Sequence, residues 1–108
     1  MNVPNQKDAQ LPPGDGEVTL FRLYVADETP NSARSRANLQ SIGKEHLQGR
    51  YRVEVVDILQ DPLRALSEGV LVTPTLVRLS PLPVLTIVGD LSEQTSVLLA
   101  LGLAGSTE

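Results

Sequence analysis

The chain contains no cysteine. Without a thiol it can form no disulfide, offer no thiolate to a metal and present no cysteine nucleophile. Histidine occurs once, at His46, so a His-based zinc centre or catalytic diad lacks its second member. Aromatic residues make up only 3%, and any core must be built mainly from Leu, Val, Ile and Ala. A positive charge excess is missing too: 9 Lys and Arg stand against 13 Asp and Glu, a formal charge of -4. General nucleic-acid binding needs a basic footprint that this balance does not supply, and a polybasic membrane anchor is excluded likewise. No stretch approaches the ~20 apolar residues needed to span a bilayer, and the first residues lack the charged-then-apolar order of a secretory signal. The expectation is a cytoplasmic protein.

What is present is ordinary for a globular domain, with 41% hydrophobic and 20% charged residues among 108. That length holds one core and not two. Residues 1–16 carry Pro4, Pro12, Pro13, Gly14 and Gly16 among polar neighbours. Their apolar surface is too small to offset the entropy of ordering, so they read as a disordered leader. The folded domain is expected over residues 17–103, with a short flexible tail at 104–108.

From Val18 to Val25 both alternating faces are largely apolar: Val18, Leu20 and Tyr24 on one, Phe21, Leu23 and Val25 on the other. A strand covered on both sides, with Arg22 its one charge, suits the centre of a sheet between helices. Thr29 then reads as an N-cap with Pro30 at the first helical position. The helix should run to about Leu47 and stop before Gly49, with Ala33, Ala37, Leu39, Ile42 and Leu47 as its apolar set. Arg50 to Leu59 reads as a second strand, parallel to the first because a whole helix separates them. Asp61-Pro62 repeats the cap-then-proline signal and places a short helix at about 62–68, closed by Gly69. Strands follow at Leu76–Leu79 and Val84–Val88, antiparallel across the turn Ser80-Pro81-Leu82-Pro83. Asp90 with Glu93 three residues on fits a capping box, opening a last helix to about Leu103. The order β-α-β-α-β-β-α defines an α/β fold with a mixed sheet.

This skeleton resembles the thioredoxins. In that fold a Cys-x-x-Cys pair sits at the start of the first helix, facing a cis-proline. Here Thr29-Pro30-Asn31-Ser32 stands at the first position and Thr73-Pro74-Thr75 at the second, so the resemblance implies a kept scaffold without thiol chemistry and a cis peptide before Pro74. A closer resemblance rests on Leu23-Tyr24-Val25-Ala26, Thr29-Pro30-Asn31-Ser32, Val56-Asp57-Ile58-Leu59, Asp61-Pro62, Thr73-Pro74-Thr75-Leu76, Pro81-Leu82-Pro83-Val84 and Val88-Gly89-Asp90-Leu91-Ser92, in this order. Their spacing is similar to that of the KaiB circadian-clock family, from about Glu17 to Leu103.

The resemblance implies a non-catalytic protein that binds a KaiC-type ATPase, with KaiA or a KaiC-binding histidine kinase as further partners. It also implies two folds, a tetrameric ground state and a thioredoxin-like monomer, with the C-terminal half remodelled between them. Tyr24, Arg34, Gln60 and Asp61 are then the expected partner-binding residues, and Gly89 and Asp90 the expected fold-switch residues. The local capping signals favour the thioredoxin-like monomer. Gln60 departs from a lysine usual in the family, and Leu85-Thr86 from a common basic pair, which marks a divergent paralogue.

Each site also has a plainer reading. Thr29-Pro30-Asn31-Ser32 fits an anion-favouring helix N-terminus or simple capping. Arg34 and Arg36 oppose the helix dipole, which fits either a partner carboxylate or solvated surface. Asp57 and Asp61 have structural roles at a strand end and a helix cap, and Ser32 has no evident activating base. No catalytic constellation, cofactor site or metal site is expected. Two rival readings are an enzyme on the same scaffold without thiol chemistry, and a free-standing sensor module resembling the N-terminal domain of the KaiC-binding kinase.

Overall fold

The computed structural model describes residues 17–27 and 29–103. Its elements run β1 (Thr19–Val25), α1 (Pro30–His46), β2 (Tyr51–Asp57), α2 (Pro62–Ser67), β3 (Thr75–Ser80), β4 (Leu85–Val88) and α3 (Gln94–Leu101). The four strands form one mixed sheet in the order β2-β1-β3-β4. β1 and β2 pair in parallel, while β1–β3 and β3–β4 are antiparallel. This is the α/β order and mixed sheet expected from the sequence. The readings of residues 1–16 and 104–108 fall outside the described residues. Among the described residues no helix is long and apolar enough to cross a membrane.

The two-sided strand sets up two cores. Phe21, Leu23 and Val25 join Leu39 and Ile42 of α1, Leu76 of β3, Leu91, and Val97 and Leu101 of α3. Tyr24 points the other way and packs with Val56, Ala65, Val70 and Val77 beneath α2. The first cluster is larger, and two helices cover it; the second is small and lies under a helix of six residues.

Thr29 caps α1, its side chain accepting from the Ser32 amide, with Pro30 at the first turn. The buried side of α1 differs from expectation. Ala33 and Ala37 are exposed, and Ser32 and Ser35 are fully buried beside Leu39, Ile42 and Gly43. Small serines allow close approach, and Ser35 Oγ satisfies itself by donating to the Ser32 carbonyl at 2.7 Å, the back-bonding open to helical Ser and Thr. Gly43 is needed for the same closeness, because a Cβ there would run into the Tyr51 ring.

The two later caps are corrected. Asp61 occupies the N-cap position of α2, but its side chain makes no capping bond. Asp90 and Glu93 form no capping box: α3 begins at Gln94, its N-cap residue Glu93 again without a side-chain bond. Asp90 Oδ1 instead accepts from the Ser92 amide at 3.0 Å, an Asx turn. Leu91 follows at φ +68 and is buried in the larger core. Burying that leucine holds the backbone in the left-handed region, where a helix cannot start.

Candidate partner-binding face

The expected site residues fall into two groups at the ends of the strands. The first gathers around the start of α1 and the β4–α3 loop. Arg34 Nε donates to Asp90 Oδ2 at 3.2 Å, and Asn38 donates to the Asp90 carbonyl at 2.7 Å. The Gly89 amide donates to the Pro74 carbonyl at 2.9 Å, and the Thr73–Pro74 peptide is cis as expected. Ser80–Pro81 and Leu82–Pro83 are cis as well, which the turn signal alone did not indicate. Arg34, Pro74, Gly89 and Asp90, spread over the sequence, thus meet at one place. The Asp90 carboxyl is held below its ordinary range chiefly by the hydrogen bonds from Ser92, with Arg34 adding to them.

Ser32 shows what stands where thiol chemistry would be. Its Oγ accepts from the Ala26 amide at 3.1 Å and lies 2.8 Å from Thr29 Oγ1, and the side chain is fully buried. The hydroxyl is engaged in shaping the turn. His46 is at the far end of α1, roughly 20 Å away at 1.5 Å rise per residue, so it cannot serve Ser32 as a base.

The second group lies on the α2 side of the sheet. Tyr24 is fully buried, so in this conformation its ring offers no surface to a partner. Its hydroxyl donates to Glu68 Oε1, which makes it a positioning residue for the end of α2. Arg22 bridges two acids, Nε to Glu54 at 2.9 Å and Nη1 to Glu68 at 2.7 Å. Arg64 of α2 reaches the second Glu54 oxygen at 2.6 Å. The chain Arg64–Glu54–Arg22–Glu68–Tyr24 therefore fastens α2 to β1 and β2 by alternating charge. Glu68 is pulled below its usual range first by the Tyr24 hydroxyl and then by Arg22. Glu54 is lowered by Arg64 and Arg22. Burial, with help from Glu68, pushes the Tyr24 phenol up, and Glu54 and Glu68 raise the Arg22 guanidinium further above its already high value.

Around this network the surface is apolar. Leu59, Leu63, Leu66, Leu71 and Val72 are half or more exposed, Leu71 to 84%. Gln60 and Asp61 sit among them on the β2–α2 turn, both exposed. That turn is shaped by Asp57, whose Oδ1 accepts from the Leu59 amide at 2.9 Å, the structural role expected of it. Single exposed leucines are common, but several around one short helix form a patch of the kind that marks an interaction surface.

The ion network was not foreseen. Arg22 stood out as the strand's one charge, and parallel pairing sets it opposite Glu54; that much was within reach of the sequence. Glu68 and Arg64 join only because α2 packs where it does. Among the described residues no group of three or more His, Asp or Glu is placed to hold a metal ion.

Comparison with known proteins places this geometry. The KaiB domain model matches residues 22–103. The chain is 44% identical over 84 residues to the circadian clock oscillator protein KaiB of Synechococcus elongatus, covering 78% of this chain and 82% of that one. It is 43% identical, again over 84 residues, to KaiB1 of Synechocystis, covering 78% and 80% of the two chains. Among solved structures, the N-terminal domain of Synechococcus elongatus SasA superposes with a TM-score of 0.66 at 21% identity, over 87% of this chain and 92% of that one. Mitochondrial thioredoxin 3 of Saccharomyces cerevisiae gives 0.63 at 16%, over 81% and 80%. The two structures share the thioredoxin-like fold with this chain, and the sequence match goes further: this chain belongs to the KaiB family.

Proposed function

We propose that this chain is a non-catalytic, cytoplasmic regulatory protein of the clock type, which binds a KaiC-type ATPase through the α2 face. The observation that carries the reading is the apolar surface of Leu59, Leu63, Leu66, Leu71 and Val72 around Gln60 and Asp61. It joins a family whose curated relatives are circadian clock oscillator proteins. A partner would bury these leucines, and Gln60 and Asp61 would supply polar contacts at the rim. Arg34 lies outside this patch, in the group around Asp90, and would be a separate contact, while Tyr24 acts indirectly by holding Glu68.

Binding in this reading requires the thioredoxin-like monomer, so apparent affinity scales with the population of that fold. Gly89 and Asp90, at the junction of α1, the Pro74 loop and the approach to α3, are the residues proposed to set that population. KaiA or a KaiC-binding histidine kinase would engage the same complex. An enzymatic role on this scaffold is disfavoured by the engagement of Ser32 in the α1 turn and the distance of His46 from it.

The test is co-elution in gel filtration with a KaiC-type ATPase. The expected result is a complex that Leu63→Glu combined with Leu66→Glu weakens at least about tenfold, a loss on the scale of a hot-spot cluster. Both positions are exposed, so the double variant should fold. An unchanged complex would move the interface elsewhere, and no complex with a correctly folded protein would exclude this partner.

A further inference from the structure

At the end of the sheet away from the Pro74 loop lies a cavity of about 250 Å³. Its walls come from Glu17 before β1, Phe21, Leu47 after α1, Arg50, Arg78 of β3 and Leu101 at the end of α3. Arg78 is the unusual member. It is 8% exposed, Nη1 donates to the Leu101 carbonyl at 3.3 Å and Nη2 to the Pro83 carbonyl at 3.0 Å. Its Nε has no partner among the described residues.

A guanidinium carries five N–H groups, and two are used here. Buried charges are ordinarily paired, yet Arg78 meets only carbonyls, one of them at the negative end of the α3 dipole. Arg50, in the same wall, makes no ion pair among the described residues, and Glu17 lies within 4.0 Å of neither arginine's nitrogens. The wall therefore presents two arginines, with the His46 imidazole beside them, against one carboxylate, and Phe21, Leu47 and Leu101 supply the apolar half.

We propose that this cavity binds a small amphiphilic carboxylate, its anionic head between Arg50 and the remaining terminal N–H groups of Arg78, its tail against Phe21, Leu47 and Leu101. Volume limits the tail: sites for drug-sized ligands run to roughly 300–1,000 Å³, so a cavity of about 250 Å³ suits a short-chain or single-ring acid. The site is separate from the α2 face, and it stands or falls independently of the proposed partner.

The experiment is a two-dimensional amide NMR titration of the full chain with hexanoate, hexanol and inorganic phosphate. Hexanoate should give saturable shifts at Phe21, Leu47, Arg50 and Leu101 and move the Arg78 Nε–H resonance, with hexanol and phosphate each at least about tenfold weaker. Arg50→Gln should weaken hexanoate about tenfold, a loss of one charge-assisted contact. Arg78→Met should abolish binding; should that variant unfold, Arg50→Gln decides alone. Equal binding of hexanol would remove the anion requirement, and equal binding of phosphate the apolar one. Shifts elsewhere, or none that saturate, would overturn the site.

Discussion

The two faces of the sheet are fastened by different physics. On one, α1 and α3 close over a continuous apolar cluster reaching from Phe21 to Leu101. On the other, a single short helix contributes Ala65 to a cluster of only five buried residues and is tied down by Arg64, Glu54, Arg22, Glu68 and Tyr24. Burial is non-directional and indifferent to pH. Charge pairing depends on protonation and salt, and at exposed positions it contributes little. The first face therefore carries most of the apolar burial that stabilises the fold, while the second ties down a helix whose leucines stay exposed.

The sharpest way to break the contrast is to cut into the first face. Ile42→Ala removes a side chain that is 1% exposed and should cost about 2–5 kcal/mol, read as a lower urea midpoint with unchanged slope. Gly43→Ala acts on the same face by overpacking. The new methyl meets the Tyr51 ring, which costs about 1–3 kcal/mol; the roughly 1 kcal/mol gained in helix propensity leaves a net loss of up to about 2 kcal/mol.

The second face should respond more weakly, and to pH. Tyr24→Phe keeps the ring and deletes the bond to Glu68, which is part-exposed; the expected cost is about 1 kcal/mol. Because the folded state lowers the Glu68 and Glu54 pKa values below 4.5, their contribution is complete above that value. It is lost as pH falls through the folded values. The Tyr24→Phe penalty should shrink over the same acid window. Tyr24 itself is raised above 10, so its contribution is present below 10 and is lost as pH rises through the folded value. Hydrogen exchange at α2 across pH checks both ends. The smallest effect belongs to Arg34→Gln, an exposed pair with Asp90 at 3.2 Å. Only a marginal loss of stability is expected from so exposed a pair, and a double-mutant cycle with Asp90→Asn isolates it.

Much of this contrast could be read from the residues. The two-sided pattern of Phe21, Leu23 and Val25 against Tyr24 located the central strand, and Thr29-Pro30 located the start of α1. The buried serines of α1 escaped, because hydropathy counts Ser32 and Ser35 as surface while their hydroxyls are satisfied locally. Asp90-Glu93 looked like a capping box because a cap is a local signal. The burial of Leu91 is tertiary and overrode it. Gly89, Asp90, Arg34 and Pro74 were each singled out, but their meeting depends on the β4–α3 loop folding back onto α1. The cation pair at Arg50 and Arg78 had no sequence signature, since the two arginines are brought to one cavity only by the pairing of β1 with both β2 and β3.

The most direct test of the division is amide-resolved hydrogen exchange, measured on the isolated protein and again with a KaiC-type ATPase. On this account the amides of Leu63–Ser67 exchange through local opening in the free protein, those of α1 only on global unfolding, and the ATPase protects α2 and its flanking loops. If α2 is as protected as α1 in the free protein and unchanged by the ATPase, the two faces do not differ in role.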